Sequence, residues 1–299
     1  MNERAAAANI AEGRSTVRSR DLGRRLRVAV EHAGWNGKRV ARALGWSESR
    51  VSRVLAGKQR VSEVDTSALL ALCGVTGVER DFLLRLAAEQ NSIGWRHTEC
   101  LSTLAEIQTQ AVRINEFHAL LVPSLLQTER YARSVVSRAV NGPVGQGDSL
   151  ISARLEGQRL FQFDDPAECV FFVPESALHL PVGGPDVMIE QLHYLLQISV
   201  RSRVSIRAIP TAVGAHAGSA GSCSLLEFAE CPPVVYLDGE TSGHFLEEPA
   251  EVRAYERVFG ALLTTSLGEE QSRDLIRGLA YPQDHRSVPA ADTSVAWSL

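Results

Sequence analysis

The 299-residue chain is predicted to be a multidomain protein, with an all-α helix-turn-helix domain followed by an α/β (or α+β) domain that has a helical lead-in. Its length suits about two domains, and its 44% apolar content is enough for a core in each. Short helical patterns fill the region from residue 21 to residue 90, whereas strand-like segments occur only after residue 160. We therefore expect a flexible basic tail at 1–19, the all-α domain at 20–90, the α/β domain at 91–283 and a flexible C-terminal tail at 284–299.

Five short helices are predicted in the all-α domain. The first covers 21–33, where apolar residues recur at helical spacing. The others are predicted at 36–44, 48–56, 61–73 and 78–90. Glycines follow several of these segments and are typical helix stops, because glycine adopts the left-handed conformation without strain.

The segment GWSESRVSRVLAGK, residues 45–58, has the layout of the second helix of a helix-turn-helix pair. Gly45 can take the positive-φ turn that ends the preceding helix, and Ser47 is a good N-cap. Gly57 then ends the helix. One apolar stripe at helical spacing is formed by Val51, Val54 and Leu55. This segment is therefore predicted to be a DNA-recognition helix.

The outward face of this helix carries short or cationic side chains, of the kind that reach base edges and phosphates. We expect base contacts from Glu48, Ser49, Arg50, Ser52 and Arg53. We expect DNA backbone contacts from Lys38, Arg39, Arg42, Ser47, Lys58 and Arg60. The alternative is an ordinary helical bundle with a glycine turn.

The charge of the chain is distributed unevenly. The net charge of -4 argues against nucleic acid as a partner, but residues 1–60 hold 14 of the 31 Lys and Arg and only 5 of the 35 acidic residues. A basic end on an acidic body is typical of a module that binds a polyanion, joined to a part with another task. The distribution favours double-stranded DNA over the bundle alternative.

The second domain is predicted from alternating helical and strand-like patterns. Helices are expected at 98–117, 123–140, 153–161, 186–199, 249–267 and 269–279. Strands are expected at 169–173, 204–209, 223–228 and 234–237. A small-residue loop before the third strand is a possible ligand loop, formed by His216, Gly218, Gly221 and Ser222; a plain glycine-rich turn is the alternative.

The sequence lacks the common catalytic signatures. It has no GxxxxGK[ST] loop, no GxGxxG after a strand and no HExxH, and HAGSAGS lacks the first glycine of GxSxG. The five cysteines have no CxxC spacing and are expected to be buried thiols rather than metal ligands. We therefore expect no enzymatic activity, no cofactor and no metal, with an enzyme body behind a DNA-binding head as the alternative. No apolar run approaches the length of a membrane span, and a cytoplasmic, nucleoid-associated protein is expected.

The N-terminal motif resembles the helix-turn-helix of phage-repressor-like (XRE, Cro/C1-type) regulators. The matching residues are the spaced leucines of RRLRVAV, the block ALGWSESRVSRVLAGK and TSALLALCGV. The resemblance implies that residues early in the recognition helix read bases. Glu48, where a glutamine is common, could accept from a cytosine amino group, and Arg53 could bind a guanine with two hydrogen bonds.

The body is similar to the DUF5753 domain, which commonly follows such a motif in antitoxin-like regulators of actinobacteria. The resemblance rests on Trp95, Glu106, Ala111, the block from Pro123 to Arg133, VPESALHLPVGG and PPVVYLDGETSG. The sequence departs from the family pattern at Ser124, Gly157 and Cys223, where Gly, a charged residue and an aromatic are usual. The resemblance implies a transcriptional regulator with a small DUF397-type protein as a partner. Because a single helix-turn-helix domain gives limited affinity, a homodimer is expected, in which the body supplies the dimer contact, a signal-binding site or both. The alternative is an antitoxin-like protein that mainly sequesters that partner and controls its own operon.

Overall fold

The protein divides into two compact units, Met1–Arg96 and His97–Leu299. This division comes from a computed structural model, which describes residues 15–90, 94–138, 147–163, 166–239 and 242–281. The predicted C-terminal tail lies outside the described residues, as do residues 1–14 of the predicted N-terminal tail.

The first unit contains the five predicted helices, so the all-α prediction is confirmed. They are α1 Val17–His32, α2 Gly37–Leu44, α3 Glu48–Leu55, α4 Glu63–Leu72 and α5 Gly77–Ala88. Their apolar faces form one core, in which Leu26, Val40, Leu69 and Leu70 are fully buried. The extended segment Gly94–Arg96 ends this unit.

Helix α1 starts earlier than the sequence predicts, so placing residues 17–19 in a flexible tail is wrong. Thr16 caps the helix by accepting from the Ser19 amide at 3.1 Å, and the Ser19 hydroxyl binds back to the cap. Arg18 is only 4% exposed because its guanidinium pairs with Glu89 at 2.8 Å. The Arg/Ser-rich composition suggested a solvated tail, but these residues form the first turn of α1 and make contacts inside the unit.

The second unit is built on a mixed β-sheet with helices around it, which confirms the α/β prediction. Its six strands are β1 Arg113–Phe117, β2 Glu168–Pro174, β3 Val204–Ile209, β4 Cys223–Glu227, β5 Val234–Asp238 and β6 Ser242–Leu246. Their order in the sheet is β6-β5-β4-β1-β2-β3. The pairs β1–β2 and β2–β3 are parallel, while β1–β4, β4–β5 and β5–β6 are antiparallel.

Seven helices of the second unit surround this sheet within the described residues. They are α6 His97–Gln108, α7 Glu129–Val136, α8 Gly147–Gly157, α9 Glu175–His179, α10 Pro185–Ile198, α11 Pro249–Thr265 and α12 Glu269–Ala280. Phe259 and Leu262 of α11 pack on Phe117, Phe172 and Val235 of the sheet to form the core.

The region between residues 98 and 140 departs from the sequence prediction. The helix predicted at 98–117 ends at Gln108, and the central strand β1 follows it. The apolar spacing of this stretch fits either structure, and tertiary pairing with β2 and β4 selects the strand. The helix predicted at 123–140 is a 3-10 turn, Ser124–Leu126, followed by α7. Strand β6 was missed because its sequence, SGHFL, lacks a clear apolar alternation.

Two of the five cysteines, Cys73 and Cys231, are half-buried, so the prediction that all five are buried thiols is wrong for these two. The other three are buried, and burial followed by the nearby Glu116 charge raises the pKa of Cys169 and of Cys223 to about 12. Because both values lie above pH 8, these thiols stay protonated there and are poor nucleophiles. We therefore expect DTNB at pH 8 to label only Cys73 and Cys231 in the native protein, and mass spectrometry of the labelled peptides to show it. Rapid native labelling of Cys169 or Cys223 would contradict this expectation.

Candidate nucleic-acid interface

Helices α2 and α3 form the predicted pair, joined by a tight turn. Asn36 caps α2 by accepting from the Arg39 amide at 3.0 Å. Gly45 ends the helix with φ of 66°, a conformation that residues with a Cβ rarely adopt. Ser47 then caps α3 by accepting from the Arg50 amide at 3.1 Å. The turn and both caps therefore follow from the residues at these positions.

The C-terminal end of α3 is a Schellman motif that packs tightly against α1. The Lys58 amide donates to the Arg53 carbonyl at 2.8 Å, and Gly57 has φ of 64°. The Gly57 carbonyl accepts from the hydroxyls of Ser15 at 2.7 Å and Ser19 at 2.9 Å. A Cβ on Gly57 would lie 2.5 Å from the Arg20 Cα. The position of α3 is thus fixed by direct backbone packing on α1.

The buried face of α3 consists of Val51 and Val54, each 1% exposed, whereas Leu55 is half-buried. On the opposite face, Glu48, Ser49, Ser52 and Arg53 are exposed. The side chains expected to reach the DNA backbone are exposed as well, namely Lys38, Arg39, Arg42, Ser47, Lys58 and Arg60. The unit therefore presents one polar surface made of α2, α3 and the segment that follows α3, which we call the α3 surface.

Arg50 differs from its neighbours because its guanidinium is bound within the unit. It donates to Asp65 of α4 at 2.6 Å and lies over the ring of Trp46, 4.2 Å from its centroid. Cation–π contact and ion pairing together hold it between the turn and α4. The structure therefore gives Arg50 a role in holding α3 on α4, which the sequence pattern alone did not reveal.

Two other arginines of the α3 surface have local contacts that leave them exposed. The Arg53 Nε donates to the Gln59 side chain at 2.9 Å, and no other partner of its guanidinium is found among the described residues. Arg39 lies over Trp35, 4.6 Å from the ring centroid. The terminal nitrogens of Arg53 are thus available for a two-bond contact.

The predicted ligand loop of the second unit forms a turn whose centre packs against Phe117. The His216 Nδ1 accepts from the Gly218 amide at 3.1 Å, and its ring meets Phe117 edge to face at 5.6 Å. A Cβ on Gly218 would lie 2.5 Å from the Phe117 ring, and Gly221 has φ of 136°. Gly218 is therefore needed for close packing at the carboxyl end of β1, and Gly221 for its positive φ.

A small cleft lies beside this turn, and Ser222 is the one residue of the predicted loop that lines it among the described residues. Ser124 and Cys223, two of the positions that depart from the DUF5753 pattern, line it too. Arg154 of α8 faces the same space and was not singled out from the sequence, because nothing in RLEGQR separates it from a surface arginine.

Among the described residues, no group of three or more His, Cys, Asp or Glu side chains is placed to hold a metal ion. No helix in the described part of the chain combines the length and apolar character needed to cross a membrane.

Comparison with known families gives two matches. Residues 101–278, more than half of the chain, match a family described as a domain of unknown function, DUF5753. Residues 21–83 match a family described as a helix-turn-helix domain. Comparison with curated proteins and with solved structures found no match. The second match covers most of α1 and α5 and all of α2 to α4, and hence the whole α3 surface.

Proposed function

Because the chain belongs to the DUF5753 family and carries a helix-turn-helix domain ahead of the DUF5753 domain, we propose that it is a sequence-specific, DNA-binding transcriptional regulator. The observation that carries the proposal is the α3 surface, where polar side chains stand exposed on a helix whose turn, caps and buried face are fixed by the fold.

In the proposed mode of binding, α3 enters the major groove and α2 crosses the DNA backbone. Arg53 pairs with a guanine through its terminal nitrogens, while Glu48 accepts from a cytosine amino group. Exposed Ser49 and Ser52 contact neighbouring base edges. Lys38, Arg39, Arg42, Ser47, Lys58 and Arg60 hold phosphates and so set the register without reading sequence.

The proposal leaves Arg50 out of base reading, although the sequence pattern had placed it there. Its ion pair with Asp65 and its contact with Trp46 would have to break before it could reach a base. We assign Arg50 to holding α3 against α4.

A homodimer on an inverted repeat is part of the proposal. A single eight-residue recognition helix reads few base pairs, so one copy gives limited affinity and specificity. Two copies would bind half-sites about 34 Å apart, one turn of DNA. Selection of bound DNA from a random pool tests this point, because a dimer enriches two inverted half-sites and a monomer only one.

The roles within the α3 surface are tested by substituting Arg53 and Lys58. We expect Arg53→Ala to weaken binding to the selected site by about 1–3 kcal/mol and to relax the preference at one base pair. We expect Lys58→Ala to weaken binding to all sequences alike and to lower the slope of log K against log salt by about 1. Fluorescence anisotropy on selected and scrambled DNA, over a range of salt concentrations, measures both effects.

The matched control for these variants is Arg253→Ala, which removes one exposed arginine from α11 of the second unit. It should leave affinity and salt slope unchanged if the effects arise at the α3 surface. If Arg53→Ala and Lys58→Ala gave the same losses on both DNAs, the division between base reading and phosphate binding would be wrong. If neither variant changed binding, the α3 surface would not be the DNA interface.

A second candidate function is sequestration of a small DUF397-type protein, with DNA binding serving only control of its own operon. The acidic balance of the chain beyond residue 60, 30 Asp and Glu against 17 Lys and Arg, favours a basic partner there. Size-exclusion chromatography with the partner and operator DNA separates the two functions. A ternary complex supports regulation, whereas mutually exclusive binding supports sequestration.

A further inference from the structure

The cleft beside the turn at residues 216–222 has the features of a built site for a small ligand. Its interior volume is about 20 Å³, more than one ordered water needs. Helices α6 and α8 form one side, and the chain after β1, strand β4 and strand β5 form the other. Asp238 lines the cleft and is exposed, so the cleft opens to solvent there.

Arg154 supplies an uncompensated positive charge to this cleft. Its side chain is half-buried, and its Nε is buried without a hydrogen-bond partner among the described residues. No described residue forms an ion pair with it either. Withdrawing a guanidinium nitrogen from water without an acceptor is costly. An acceptor that enters the cleft would recover this cost.

Two serines on the opposite wall add hydroxyl donors. The Ser222 Oγ accepts from the Ala119 amide at 3.1 Å, which leaves its hydrogen available for donation. Ser224 is 4% exposed, and its hydroxyl has no partner among the described residues. Together with Arg154, these groups form a set of donors suited to an anion.

Two carboxylates lie near the cleft, those of Glu116 and Asp238. Glu116 lies behind it and does not line it. Its Oε1 accepts from the Ser124 amide, the Ser124 hydroxyl and His118 at 2.8, 2.9 and 3.1 Å, whereas its Oε2 is buried without a hydrogen-bond partner among the described residues. Asp238 accepts from the Tyr236 hydroxyl at 3.0 Å at the exposed rim. Among the described residues that line the cleft, Arg154 is the one arginine or lysine.

The remaining wall is apolar and narrow. Leu101 and Leu104 of α6 line it and are buried in the unit. A planar carboxylate fits the small volume better than a tetrahedral phosphate, and the leucines suit a short aliphatic stem. We propose that this cleft binds the carboxylate of a small aliphatic carboxylic acid, with Arg154, Ser222 and Ser224 as donors.

The test uses the full chain in the absence of DNA. The probe is sodium butyrate, titrated at constant ionic strength. Isothermal titration should give a Kd of about 1 mM, which is in the range expected for so few atoms. Arg154→Gln should weaken butyrate binding about tenfold or more, since it removes a charge-assisted contact. Ser224→Ala should weaken it several-fold, and it provides a second variant if Arg154→Gln does not fold, as judged by circular dichroism.

The control variant is Arg159→Gln. Arg159 is an exposed arginine in the turn that follows α8, and it pairs with Glu156 at the end of that helix. It should bind butyrate like the unaltered protein. The proposal fails if folded, unaltered protein does not bind butyrate at 20-fold its expected Kd, about 20 mM. It also fails if folded Arg154→Gln or Ser224→Ala binds butyrate as tightly as the control does. Finally, it fails if the unaltered protein binds the cation methylammonium and not the anion butyrate. Since DNA takes no part in the measurement, its outcome is independent of the proposed regulatory function.

Discussion

The substitution Gly57→Ala is expected to lower the free energy of unfolding of the first unit by about 2–4 kcal/mol, through left-handed backbone strain and overpacking together. Gly57 has φ of 64°, and the added Cβ would lie 2.5 Å from the Arg20 Cα and 2.6 Å from the Ser19 carbonyl oxygen. These are backbone atoms of α1, so no side-chain rotation relieves the contact. Either α1 or the end of α3 must move.

The matched control is Gly45→Ala. Gly45 has nearly the same φ, 66°, but nothing lies within 4 Å of its added Cβ. This variant should show the left-handed penalty alone, about 1 kcal/mol. The difference between the two variants isolates the packing of α3 on α1.

Hydrogen exchange of peptides from α1 and α3 is the suitable measurement, because a two-unit chain does not give one unfolding free energy. Gly57→Ala should speed exchange in both helices far more than Gly45→Ala does. Equal exchange in the two variants would show that the α1–α3 contact is not a tight one. Under the proposed function, Gly57→Ala should also weaken binding to every DNA sequence, since it displaces α3 as a whole.

The helices of the first unit could be predicted from local signals, since Ser47, Gly45 and the apolar spacing act within a few residues. The approach of Gly57 to α1 could not, because it joins residues far apart in the chain. The same limit applies to the ion pair of Arg50, because its partner Asp65 lies on another helix. Whether a charged side chain is exposed depends on contacts with residues distant in the sequence, which a local pattern does not contain.

The second unit was harder to predict for the same reason. Strand β1 contains Glu116, which is fully buried. In the sequence, a charged residue at this position fits the polar face of the helix predicted at 98–117. One oxygen of the Glu116 carboxylate, Oε1, accepts from Ser124 and His118 after the strand, and that arrangement exists only in the folded chain. In the candidate site, the sequence identified Ser222 through its glycine-rich neighbours but gave no signal for Arg154.

Replacing Gln191 by leucine is expected to destabilise the second unit by about 2–4 kcal/mol, because two backbone groups lose buried hydrogen bonds. Gln191 of α10 is fully buried. Its Nε2 donates to the Leu126 carbonyl at 2.6 Å, and its Oε1 accepts from the Thr128 amide at 2.8 Å. Leucine has a similar volume but can form neither bond, so the turn before α7 would lose its anchor.

Gln197→Leu is the control, since it makes the same change on the same helix at an exposed position. Surface substitutions of this kind usually stay within about 0.5 kcal/mol. Hydrogen exchange in peptides from α7 and α10 should therefore rise in Gln191→Leu and stay unchanged in Gln197→Leu. If the two variants showed the same hydrogen-exchange rates, the two hydrogen bonds of the Gln191 side chain would contribute nothing to the stability of the second unit. The expected difference arises because an unpaired polar group costs far more inside the unit than in water.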